Sequence, residues 1–214
     1  MRFEVHTPAH RSFDESPNSL RLVKAAKRAF LRSGGTKFSI RSVAKEARIS
    51  VGAVQHYYPT RDKLVAAMLE YVVNEYERAY EEVFTTLPFN GEARLYSALD
   101  YLVVDACNQE SRQFFFALYS LSCHNRFVAT LVDEVFFHHR NNIAALVGAA
   151  RPAFSELQCF DTATQIVGLL EGLPILAGSD VHHGLDCATM ARLIRAGVGQ
   201  LLAGGSDAGK SEAV

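Results

Sequence analysis

Residues 50–64, SVGAVQHYYPTRDKL, place Gln55, His56, Tyr57 and Tyr58 in consecutive positions and follow them with Arg61 and Lys63. An amide, an imidazole, two phenols, a guanidinium and an ammonium make a dense set of hydrogen-bond donors. Charge points to an anionic partner. Residues 1–65 hold thirteen Lys/Arg against five Asp/Glu, a net of +8. The remainder holds nine against eighteen, a net of −9, so the overall −1 conceals an asymmetry. A basic first third on an acidic remainder suits a small polyanion-binding module on an acidic body. A merely solvated basic face is the alternative.

The elements that would position these groups are short helices. Asn18 or Ser19 can cap a helix to about Ser33, with Leu22, Ala26, Ala29 and Phe30 inward and a basic row outward. SGG at 33–35 ends it. Ser39 caps IRSVAKEA, where Ile40, Val43, Ala44 and Ala47 face inward and Arg41 and Lys45 outward. Ser50 caps VGAVQHY, with Val51, Val54 and Tyr58 on its inner face. Pro59 stops it. Thr60 caps a longer helix to about Phe84. A helix followed by two short helices joined by a tight turn is the helix-turn-helix layout. Gly52 and Ala53 leave the start of the second short helix thin enough for close approach to a phosphodiester surface.

Residues 20–69 resemble the DNA-binding domain of TetR-type (tetracycline-repressor-like) transcriptional regulators. The resemblance rests on Ala25 to Phe30, Gly34/Gly35, Ser39 to Ala44, Ile49 to Val54, Tyr57/Tyr58 and Arg61. Carried over by position, it implies phosphate contacts at Ser39, Tyr57 and Arg61, with Ser50 and Lys63 less firmly assigned. It implies base-reading or groove-facing roles for Arg41, Gly52, Ala53, Gln55 and His56. Side-chain chemistry agrees, since Arg reads guanine O6/N7 and Gln reads adenine N6/N7. Three positions depart from the family pattern. Arg48 stands where the turn usually has glycine, so it must adopt a left-handed conformation or use a different turn. Gln55 replaces the usual Tyr and Arg61 the usual Lys.

The expected fold is all-α: an arm at 1–17, a helix-turn-helix domain at 18–65, a larger helical ligand-binding and dimerisation domain at 66–203, and a disordered tail at 204–214. Helices are expected at 91–108, 111–123, 126–148, 160–177 and 186–202, with a kink at Pro174. The family resemblance implies a small effector, and the aromatics of this body suit an apolar or aromatic one. Phe115, Tyr96, Asp100, Cys107, Tyr119, His124 and His138 are its candidate contacts. A homodimer contact is expected on the last two helices through Ile166, Leu169, Leu173, Leu176, Met190, Leu193, Ile194, Val198 and Leu201. Gly168, Gly172, Gly197 and Gly199 would allow close helix approach.

Other function classes find little support. The histidine pairs 138–139 and 182–183 are adjacent, so each pair splays apart on a helix, and no metal site or cofactor is expected. No catalytic motif is present, so no enzyme activity is expected. The four cysteines are 16, 36 and 28 positions apart, and buried free thiols are the default reading. No apolar run is long enough to span a bilayer and no signal segment is seen, so a cytoplasmic protein is expected. The reading is a dimeric repressor that binds a pseudo-palindromic DNA operator and is released by its effector. The rival is a small-molecule sequestering protein or enzyme with a basic helical head.

Overall fold

The computed structural model describes residues 16–35, 37–86, 90–176 and 185–204. Every regular element among them is an α-helix: α1 (Pro17–Ser33), α2 (Ile40–Ala47), α3 (Val51–Tyr57), α4 (Arg61–Thr86), α5 (Gly91–Cys107), α6 (Gln109–Ser122), α7 (Arg126–Ala150), α8 (Glu156–Leu176) and α9 (Cys187–Gly204). The expected all-α class is therefore observed. Of the expected arm (1–17) and tail (204–214), residues 1–15 and 205–214, like His182 and His183, lie outside the described residues, whereas Pro17 opens α1 and Gly204 closes α9.

Two compact units arise from these helices. The first contains, among described residues, 16–35, 37–78 and 110–136. Its core gathers Val23, Ala25, Ala26 and Phe30 of α1, Val43 and Ala44 of α2, and Val54 of α3. Leu64, Val65 and Met68 of α4, Phe114 and Leu118 of α6 and Val128 of α7 complete it. Phe30 is fully buried, with Phe38 edge-on and Phe114 tilted against it, both at 5.5 Å between centroids. Burying such a ring is worth roughly 1.5–3 kcal/mol. The second unit contains 79–86, 90–109, 137–176 and 185–204. There α5, α8 and α9 pack on one another around Leu95, Leu99, Ile166, Ile194 and Leu202. Arg151 ties this unit together, donating to Glu92 at 2.9 Å and to the Leu202 carbonyl at 3.3 Å.

Helix limits follow local chemistry. The cap of α1 is Ser16, not Asn18 or Ser19, because Pro17 takes the first helical position, where its missing N–H costs nothing. Ser19 instead turns inward, fully buried, and hydrogen-bonds the Tyr58 hydroxyl. Helix α8 begins four residues before the expected start. Ser155 and Gln158 form a reciprocal capping box there, at 2.8 and 3.2 Å. The helix then runs through Pro174 to Leu176.

The free-thiol expectation is corrected for half of the cysteines. Cys107, the last residue of α5, and Cys187, the first of α9, are joined in a disulfide with a Cα–Cα distance of 5.7 Å. Cys123 is free but exposed, and Cys159 is free and buried. Burial, with Glu156 nearby, raises the Cys159 thiol pKa and leaves it inert.

Candidate nucleic-acid interface

The interface is built by two helix ends and the turn between them. Ser39 starts α2: its hydroxyl accepts the Ser42 amide at 3.1 Å, while the Ser42 hydroxyl accepts the Ser39 amide at 3.0 Å. The end of α2 is a Schellman turn, in which the Ile49 amide donates to Ala44 and the Arg48 amide to Lys45. That turn requires a left-handed residue, and Arg48 supplies it at φ 56°, ψ 47°. Of the two alternatives open at this position, the left-handed one is observed. The Arg21 guanidinium covers the last turn of α2, donating to the Ala47 carbonyl at 2.7 Å.

Ser50 caps α3 by accepting the Ala53 amide at 3.1 Å. Val54 is completely buried and Tyr58 is 4% exposed, so they anchor the helix. Val51, expected beside them, is 36% exposed, because the first residue of α3 lies at the rim of the core. On the opposite side Gly52, Gln55, His56 and Tyr57 are exposed, with Ala53 half-buried at the edge. The His56 and Tyr57 rings meet edge to face at 5.4 Å. The Tyr57 hydroxyl accepts the Asn18 side-chain amide at 3.1 Å, which fixes the phenol against the start of α1. Gly52 has ordinary backbone geometry, and a Cβ added there would meet nothing within 4 Å. Nothing inside the protein requires glycine at this site.

Arg61 opens α4 and donates through Nε to the Phe38 carbonyl at 3.1 Å. This holds its guanidinium on the carbonyl of the residue that precedes Ser39, the cap of α2. Arg41 and Lys63 are exposed. Not all of the basic excess is available. Arg28 and Arg32 both pair with Glu46, and Lys27 pairs with Glu110 at 3.1 Å. Glu46 is held below the ordinary glutamate pKa, chiefly by its hydrogen bond from Arg28.

Residues 22–68 match the family described as "Bacterial regulatory proteins, tetR family". Those residues carry a DNA-binding domain of the TetR type. Among characterised proteins, the regulator PksA of Bacillus subtilis (strain 168), an HTH-type transcriptional regulator, is 21% identical over 170 residues. That alignment spans 79% of this chain and 83% of PksA. Among solved structures, a Pseudomonas aeruginosa PAO1 protein superposes with a TM-score of 0.75 at 20% identity. It covers 91% of this chain and 95% of that one. A TetR transcription regulator from Haloarcula marismortui gives 0.70 at 21% identity, covering 88% and 97%. At these identities the structures establish the shared fold. With that domain, the chain is a DNA-binding transcriptional regulator, and its helix-turn-helix lies in α2 and α3.

The expected effector contacts fall in separate places. In the first unit Phe115 and Tyr119 stand in an aromatic row, Tyr76–Phe115–Tyr119–Phe136, with successive centroids 5.7–6.1 Å apart. His124 is exposed at the turn after α6. In the second unit, Asp100 pairs with Arg195, whose guanidinium lies 5.2 Å over the Tyr96 ring. His138 is half-buried, and its Nδ1 is enclosed without a hydrogen-bond partner among the described residues. Cys107 offers no thiol, being in the disulfide.

The apolar residues of α8 and α9 also divide. Ile166, Met190, Ile194 and Val198 are at most 3% exposed and belong to their own subunit's core. Leu176 and Leu193 are exposed, and Leu169, Leu173 and Leu201 are half-buried. A Cβ at Gly197 would lie 3.0 Å from Leu169, so this glycine serves α8–α9 packing within the subunit. Gly168 and Gly172 face open space.

Proposed function

We propose that this protein is a dimeric, cytoplasmic repressor with no enzyme activity, and that a small, largely apolar or aromatic effector releases it from a pseudo-palindromic operator. Helix α3 enters the major groove. Gln55, with Arg41 from α2, reads base edges, while Ser39, Tyr57 and Arg61 hold phosphates, with Ser50 and Lys63 at the margin. The observation that carries this reading is the two-sided α3: Val54 and Tyr58 are locked inside while Gln55, His56 and Tyr57 are presented outward. The fixed positions of Tyr57 and Arg61 support it, since a phosphate clamp works best when its donors are held in advance. The aromatic row around Phe115 and Tyr119 supports an apolar or aromatic effector. Effector binding would favour the conformer with wrongly spaced reading heads, by no more than its differential affinity for the two states.

The test starts by enriching a binding duplex from a random pool and measuring its affinity against random DNA. Arg41→Ala and Gln55→Ala should each reduce the specific-to-random ratio by about 1–3 kcal/mol, roughly fivefold to 150-fold. Lys63→Ala should weaken both duplexes alike and lower the salt dependence by about one ion. An unchanged ratio in both Arg41→Ala and Gln55→Ala refutes the assignment of the readers.

A further inference from the structure

We propose that Cys107 and Cys187 form a peroxide-sensitive, dithiol-reversible clamp across the α5–α9 junction. The pair joins the last residue of α5 to the first of α9, 80 positions apart, where the two helices pack on one another. Both cysteines are half-exposed, so a small oxidant or reductant can reach them. The other two lack this combination: Cys159 is buried, and Cys123 is exposed but unbridged.

Position makes the two sulfurs unequal. Cys187 is the first residue of α9, where the helix dipole favours a thiolate, with the adjacent Asp186 carboxylate already capping the Thr189 amide at 2.7 Å. Cys107 is at the carboxyl end of α5, where the same dipole disfavours one. Cys187 is therefore the attacking sulfur and Cys107 the resolving one. The Cys187 thiolate attacks a peroxide oxygen, the O–O bond breaks, hydroxide leaves, and a sulfenic acid remains. The Cys107 thiol then attacks the Cys187 sulfur, forming the S–S bond and releasing water. One peroxide is reduced and two thiols are oxidised. A dithiol reverses the process by exchange, taking the two electrons back.

The clamp acts on the helix that carries Leu193 and Leu201. In the oxidised state the start of α9 is pinned to α5; in the reduced state it is held only by packing. The proposal rests on the reading above in one respect, that a DNA-binding regulator works in a reducing cytosol, where disulfides are mostly transient or sensing. The test needs no DNA, so its failure and that of the DNA reading are separable.

The full-length protein is reduced with dithiothreitol, treated with stoichiometric hydrogen peroxide and mapped by mass spectrometry. The expected products are a 107–187 disulfide in the wild type and a trapped sulfenic acid at position 187 in Cys107→Ser. A Cys123→Ser control should behave as the wild type. Equilibration with reduced and oxidised glutathione should then toggle the pair, with amide exchange at the start of α9 at least fivefold faster in the reduced protein. A pair that never forms, that stays oxidised in tenfold excess dithiol under native conditions, or that toggles without changing exchange overturns the proposal.

Discussion

At the scale of single residues, Gly52 separates folding from function. It sits inside α3 with ordinary geometry and empty space where a Cβ would be. A helical Gly→Ala change gains up to about 1 kcal/mol. Gly52→Ala should therefore raise the urea midpoint while weakening affinity for the enriched duplex, because in the proposed complex the added methyl would meet the DNA and nothing of the protein. Higher stability with unchanged affinity would mean the α3 backbone does not approach phosphate closely. Glu46 provides a second residue-scale prediction. Its pKa is lowered in the folded state from 4.5, chiefly by Arg28. The stability it contributes is therefore present above its unfolded pKa and disappears as pH falls through the folded value. Melting of wild type and Glu46→Gln should differ most near neutral pH and converge only once the pH has fallen below the lowered folded pKa. Because Arg28 and Arg32 are 55% and 64% exposed, the difference should also shrink in high salt. A gap that persists in acid would assign the effect to packing.

At the scale of elements, the turn between α2 and α3 is where sequence and backbone geometry conflict. A side chain in the left-handed region costs on the order of 1 kcal/mol, against a comparable entropic cost for glycine. Arg48→Gly should thus be neutral or stabilising by up to about 1 kcal/mol. Arg48→Val, β-branched in the same conformation, should lose at least that much. Urea unfolding of the pair would decide it, and a valine variant as stable as the glycine one would show that the turn can change type. The sequence made this conflict legible because Ser39 and Ser50 bracket it with two caps and leave few residues to make the turn. The start of α8 was less legible. Its Ser155-x-x-Gln158 box precedes a segment, ELQCFD, too polar to stand out beside the apolar run that follows. The cysteine pair was not legible at all. No local signal marks two residues 80 apart as neighbours; only the packing of α5 on α9 does.

At the scale of the whole molecule, the difficulty lies in two helices with long apolar stretches. Periodicity identifies α8 and α9 as buried, but it does not say whether their burial is internal or against a second subunit. Burial in the subunit divides them. Ile194 and Leu202 are 1% exposed, whereas Ile175, Leu176 and Leu193 are 66%, 62% and 37% exposed. Exposed leucines and isoleucines on helices that also show Gly168 and Gly172 to open space form the surface through which dimerisation is proposed. Substitutions at inner and outer positions should therefore fail differently. Leu193→Glu combined with Leu176→Glu should sediment as a monomer while keeping a helical circular dichroism spectrum. Its affinity for a two-half-site duplex should fall to that for a single half-site. Ile194→Glu should instead lose cooperative unfolding, because a carboxylate buried without a partner is too costly for the core. A double variant that remains dimeric would place the interface elsewhere. A double variant that unfolds like Ile194→Glu would mean that these outer leucines, too, are part of the subunit's own core.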